Sequence, residues 1–145
     1  LRSLVGSEMC IRDRKKDFSY ASLEKNGDGF KIIVSSYQDE QRKRFAIAQE
    51  LGHLFLHMGY KTNAEIWEKQ ADKVPFQEKD PEKVRQANEF AAALLMPRYI
   101  FFLTLEAASD IAESGKRTIH MQAVADFFNV SLSAAYTRAK IFGII

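Results

Sequence analysis

The segment FAIAQELGHLFLH, residues 45–57, constrains this chain more than any other. Phe45, Ile47, Leu51, Leu54 and Phe55 fall on most sides of a helix that turns 100° per residue, leaving no broad polar face for solvent. Such a helix has to lie at the centre of a fold, with other elements packed around it. Ser36 or Asp39 is placed to cap its start, and Gly59 to stop it just beyond His57.

The neighbouring segments supply what can pack there. Residues 17–37 hold two β-rich runs, FSYASL and FKIIVSS, around the turn cluster EKNGDG, which predicts a hairpin. Phe30, Ile32 and Val34 share one face of its second strand, with Ile33 on the other. Residues 58–79 are mixed and polar and read mainly as a connection facing a substrate, with a short helix around Ala64 to Asp72. Asp80-Pro81 opens a second strong helix, the aspartate as cap and the proline in its first turn, running through RQANEFAAALLM to Pro97. RYIFFLTLEAASDIA predicts a third. The tail, TIHMQAVADFFNVSLSAAYTRAKIFGII, reads as two short helices about an Asn129-Val130-Ser131 turn with Ser131 capping the second. Phe45, Phe90, Leu94, Leu95 and Met96 are expected in the core. Strands first and helices after predict an α+β fold: an N-terminal β-hairpin or small sheet packed on a helical core, with a C-terminal helix pair.

The chain length of 145 residues suits one domain with a core of its own. No apolar run approaches the ~18–20 residues of a membrane span. Residues 4–14, LVGSEMCIRDR, resemble a translated sequencing-library adapter, so residues 1–14 are expected to be non-native and the natural start to be missing. The single domain then runs from 15 to 145. Arg2, Arg12 and Arg14 outweigh Glu8 and Asp13 by one charge, so the net charge of +2 falls to +1 without that segment. This balance is too small to argue for nucleic acid. The segment also holds the only cysteine, Cys10. Residues 15–145 therefore have no thiolate for a metal, a disulfide or nucleophilic attack, and any metal site must use histidine and oxygen. An intracellular, cytoplasmic location is the default.

Positions 49–53 carry the chemistry. A zinc peptidase needs three protein ligands and an open fourth position for water. The metal lowers that water's pKa and polarises the carbonyl, while a carboxylate takes the proton. The HExxH spacing supplies two histidines one turn apart with the glutamate beside them as base. Here the stretch reads Gln49-Glu50-Leu51-Gly52-His53. The base and the second ligand are in place, but the first position holds a neutral amide, a far weaker ligand for zinc than imidazole.

RKRFAIAQELGHLFLH followed by QANEFAAALLMP closely resembles the ImmA/IrrE family of zinc metallo-endopeptidases, whose blocks read RFxxAHELGHxxLH and ExxANxFAxxLLMP. The resemblance extends to VADFFNVSLSAAYTRAKIFG and covers nearly the whole chain after Lys15. It implies that the helical core is zincin-like and carries a gluzincin-like Zn2+ site, with Glu50 as catalytic base and His53 as ligand. It also implies a third ligand, a glutamate four residues before the asparagine of the AN pair. Counting back from Asn88 gives Val84. Glu82 and Glu89 flank that position but point elsewhere on the helix, unless a frayed start brings Glu82 closer. Asn88 and His57 are implied as supports that orient a ligand from behind.

Each of these residues also has a plain structural reading. Glu50 can pair with Arg42, Arg44 or Arg85 instead of serving as a base. His53 and His57, four apart, can hold a metal together or simply support the helix, and His120 suits a helix start. The tail resembles a helix-turn-helix in outline, yet its second helix offers only Arg138 and Lys140 as cations, fewer than phosphate contacts demand. Direct DNA binding is therefore disfavoured against packing or partner docking. The resemblance implies a protein that acts on a helix-turn-helix transcriptional repressor in mobile elements, prophages or stress responses. With Gln49 and Val84 at ligand positions, zinc binding is expected to be weak or absent and proteolysis impaired or lost. The alternatives are an active zinc endopeptidase, if Gln49 is a misread histidine codon, and a non-catalytic repressor-binding module.

Overall fold

The computed structural model describes residues 21–36 and 38–145. The adapter-like segment, Cys10 and the start of the expected first strand lie outside them. The chain divides into two compact units, one up to Ala91 and the other from Ala92.

In the first unit, β1 (Ala21–Asn26) and β2 (Gly29–Val34) form an antiparallel hairpin in which Leu23 faces Ile32 and Asn26 faces Gly29. Gly27 makes the turn at φ +62°, a backbone region that glycine enters without steric cost. Both strands pack against α1 (Glu40–Leu56), the expected central helix. Of the two candidate caps, Asp39 is the one used: its Oδ1 accepts from Arg42 N–H at 2.8 Å. At the far end, Gly59 adopts φ +77°, and Tyr60 N–H reaches back to Leu54 O at 3.2 Å. A methyl group at Gly59 would come within 2.5 Å of Asn63 O, so both the turn and the space demand glycine there.

Leu23, Ile32, Val34, Ile47, Leu51, Leu54 and Met58 form the core between hairpin and helix. Burying each large aliphatic side chain contributes roughly 1.5–3 kcal/mol. Ile33, expected on the opposite face from Ile32, is buried as well, so neither face of β2 behaves as a solvent face.

The stretch after Gly59 is more ordered than a mere connection. It holds α2 (Ala64–Glu68), capped by Asn63, and then runs beside β1. Lys73 N–H donates to Lys25 O at 2.7 Å and Phe76 N–H to Leu23 O at 2.6 Å. Backbone bridges join Glu24 to Pro75 and Lys25 to Asp72. Residues 72–76 thereby cover the outer edge of β1, whose unpaired backbone groups would otherwise be left to solvent or to another chain. The chain then enters α3 (Pro81–Leu95), where Asp80 Oδ1 accepts from Glu82 N–H at 3.0 Å, as the Asp-Pro pair predicts.

The second unit continues from the end of α3 with α4 (Arg98–Ala107), β3 (Ser109–Ile111), β4 (Arg117–Ile119), α5 (Met121–Phe128) and α6 (Leu132–Ile141). The predicted third helix is therefore shorter than its sequence suggested. Ser109 Oγ donates to Leu105 O and closes the helix end, and Ser109–Ile111 pairs with Arg117–Ile119 as a small hairpin. Leu94, expected in the core, is exposed, whereas Leu95 and Met96 are buried. Asn129 takes the left-handed conformation between α5 and α6, and Ser131 caps α6 through Ala134 N–H. Phe101, Leu105, Val124, Phe128, Ala135 and Ala139 are buried in this unit. The first hairpin, the small second sheet and the six helices found among the described residues make an α+β fold dominated by helices. Among the described residues no single helix is long and apolar enough to cross a membrane.

Candidate functional site

The site expected on α1 lies within the first unit, where α1 meets α3. Gly52 sets their separation. A methyl group there would stand 3.0 Å from Ala87 Cα and 3.2 Å from Phe90 Cβ, so the missing side chain lets the helices approach closely. This contact brings the last turn of α1, with His53 and His57, beside the first half of α3.

His53 is buried, with 6% of its surface exposed, and its ring lies 5.6 Å from that of Phe76. Its Nδ1 is 2.8 Å from His57 Nδ1. His57 Nε2 in turn is 3.0 Å from Gln86 Oε1 on α3. Burial lowers the pKa of His53 below its ordinary 6.5, the neighbouring His57 lowers it further, and the carboxylate of Glu78 opposes both. Glu78 is held below the ordinary carboxylate range chiefly by the backbone N–H of Asp80, with Lys83, the N–H of Lys79 and His57 adding to the effect. The segment that covers β1 therefore also delivers Phe76 and Glu78 to the two histidines.

Glu50 is half-buried and, among the described residues, its carboxyl receives no hydrogen bond or ion pair. Burial raises its pKa from 4.5 to about 7. The arginine partners envisaged from the sequence are engaged elsewhere in two of three cases: Arg42 with Asp39, and Arg85 with Glu82 and Glu89. The Arg85 pairs also fix Glu82 on the exposed side of α3, which removes the possibility that a frayed helix start carries it to the histidines. Val84, at the position where a third ligand is implied, is half-buried and has no donor atom. Asn88 is exposed and forms no hydrogen bond to either histidine. The amide that does reach His57 is Gln86, two residues earlier. Sequence reasoning missed Gln86 and Glu78. The only signal for Gln86 was a polar amide beside Ala87, and for Glu78 there was none, because it arrives on an irregular segment.

This donor set does not fit zinc. Among the described residues no group of three histidine, cysteine, aspartate or glutamate side chains could hold a metal ion. Gln49 offers a neutral amide and Val84 offers nothing, so His53 is left without the partners a metal needs. Catalytic zinc needs three such donors and an open position for water.

The two cations of the tail helix differ in exposure. Arg138 is buried at 8% exposure, its Nε donates to Met96 O at 3.2 Å, and its guanidinium lies 4.4 Å from the Phe142 ring centre. That leaves Lys140 as the exposed cation of α6. His120 stands at the start of α5 and pairs with Asp110 at 2.6 Å, far in sequence from the other two histidines.

No curated protein matches the sequence. A transcriptional regulator from Mycobacterium tuberculosis shares the fold, with a TM-score of 0.60 at 18% sequence identity over 94% of this chain and 37% of that one. The chain thus spans a little over a third of the regulator's length. The family model of the IrrE N-terminal-like domain, Peptidase_M78, matches residues 12–140, and the chain belongs to that family.

Proposed function

We propose that this chain is a binding module: a member of the IrrE-like metallopeptidase family that engages a helix-turn-helix transcriptional repressor without zinc-dependent hydrolysis. One observation carries the reading. The position that should complete a metal site on α3 is Val84, and the position that should open it on α1 is Gln49, so among the described residues His53 is not one of three strong ligands. Phe76 adds to this, because its ring sits against His53 in a site where catalysis would need room for water and a peptide. Family membership and the regulator of similar fold support a protein partner involved in transcription. Burial of Arg138 weakens the case for DNA contacts by α6.

A second reading has its own support. Glu50, with a pKa near 7, is poised as general bases are. Were Gln49 a misread histidine, that carboxyl would stand beside two imidazoles on one helix. The deciding experiment incubates the purified chain with a panel of helix-turn-helix repressors and monitors association by calorimetry and cleavage by mass spectrometry. Association without fragments is expected, together with well under one zinc per chain. Fragments that vanish on Glu50→Gln, with about one tightly bound zinc, would sink the binding-module reading. Gln49→His combined with Val84→Glu is expected to restore metal binding.

A further inference from the structure

Two imidazoles facing each other through Nδ1 at 2.8 Å cannot both be acceptors or, when neutral, both be donors. Gln86 decides between the arrangements. Its amide N–H donates to the Glu82 carboxylate, which turns Oε1 toward His57, and an oxygen without hydrogen at 3.0 Å requires His57 to present Nε2–H. A neutral His57 then has only a lone pair at Nδ1, and His53 must donate its Nδ1–H into it. The direction of both bonds is fixed by one amide on the other helix. His53 Nε2 is left as a lone pair, with no hydrogen-bond partner among the described residues.

In a metal site, a chain of this kind orients a histidine from behind so that its outer nitrogen meets the ion. Here Gln49 and Val84 leave nothing for Nε2 to complete. What the chain still does is join two helices at a contact that Gly52 has made too close for side chains. We infer that the directed relay from His53 through His57 to Gln86 has taken over from a metal as the tie between α1 and α3, so that the first unit holds its fold without zinc. The inference rests on reading the chain as a non-catalytic member, but it concerns proton positions and stability, and it can fail separately.

Long-range 1H–15N correlation spectra of the full chain at pH 8 give the tautomer of each neutral histidine. Through-bond assignment from the backbone into each ring distinguishes His53, His57 and His120, the three histidines of the chain. His57 is expected as the Nε2–H tautomer and His53 as Nδ1–H. Gln86→Met, which keeps the side-chain length and removes the acceptor, should release His57 from its single tautomer and lower Tm by a few degrees. EDTA, or one equivalent of zinc chloride, should leave Tm of the unaltered chain where it is. A proton on His57 Nδ1, an indifferent Gln86→Met, or a zinc-induced rise in Tm with loss of the His53 Nδ1 proton would each overturn the relay. Should Gln86→Met not fold, the tautomers of the unaltered chain decide alone. Repressor cleavage would remove the binding-module reading and with it the relay's place in lieu of a metal, whatever the tautomers; reversed tautomers without cleavage would remove the relay alone and leave that reading standing.

Discussion

Gly52 of α1 faces Ala87 of α3 so closely that an added Cβ would stand 3.0 Å from the alanine's Cα and 3.1 Å from its carbonyl oxygen. Ordinary helix energetics favour alanine over glycine by about 1 kcal/mol at such a position. The close contact reverses that preference, because the atoms in the way belong to backbone that cannot rotate aside, and overpacking typically costs about 1–3 kcal/mol. Gly52→Ala is therefore expected to lower stability by about 1 kcal/mol in urea unfolding, and to disturb the His57–Gln86 bond across the same interface. A stabilising Gly52→Ala would mean the two helices are freer to part than described.

Glu50 gives stability a particular dependence on pH. Its pKa in the fold is raised to about 7 by burial, against 4.5 in the unfolded chain. Between those values the folded state holds the extra proton, so its contribution is fully present below about 4.5 and is lost as pH rises through about 7. The total is on the order of 3 kcal/mol for a shift of this size. His53 acts in the opposite sense. Its lowered pKa makes its contribution complete above 6.5 and lost as pH falls through its folded value. Glu50→Gln isolates the first effect: against the unaltered chain it should gain stability at pH 8 and change little at pH 4.5. Equal differences at both pH values, measured by denaturant unfolding, would contradict the assignment.

The parts legible in the sequence were those set by local chemistry. The Asn-Gly-Asp-Gly turn, the Asp39, Asp80 and Ser131 caps, the Asp80-Pro81 helix start and the apolar surround of α1 each rest on interactions between residues a few positions apart. What escaped depends on distant segments. The β1 edge is covered by residues 72–76 through backbone hydrogen bonds, which any sequence can form, so the polar composition of that stretch suggested only a connection. Likewise β3 is too short to show an alternating pattern, and Ser109, which ends α4, looks like any other serine in an apolar run. Within the candidate site, the spacing on α1 singled out Glu50, His53 and His57, and the structure brings the two histidines together. Gln86 and Glu78 became visible only once α3 and the β1 strap were in place.

Phe76 links that strap to the histidines, since its N–H bonds Leu23 O while its ring lies against His53. Burial is the largest cause of the low His53 pKa. Phe76→Ala should therefore let the His53 pKa climb back toward 6.5, read from the pH dependence of its NMR resonances. Truncating a half-buried aromatic should also cost about 2 kcal/mol of stability. A stability loss with the His53 pKa unmoved would show that the ring supports the hairpin but does not shield the imidazole.

Arg138 and Lys140, two residues apart on α6, are expected to separate structural from surface roles. Arg138 donates to Met96 O and stacks on Phe142 while nearly out of contact with water, so its removal takes away a charge-assisted bond and leaves a buried carbonyl without that donor. Arg138→Met should destabilise the chain by about 2 kcal/mol, whereas Lys140→Ala, which removes an exposed cation, should change stability by less than about 0.5 kcal/mol. The same pair addresses nucleic acid. If α6 gripped DNA, Lys140→Ala would weaken binding and flatten its salt dependence by about one phosphate contact. Fluorescence anisotropy with a labelled duplex at low salt is expected to find at most a weak, non-specific association that is indifferent to Lys140→Ala, and a sequence-dependent loss on that substitution would reinstate α6 as a DNA-reading helix.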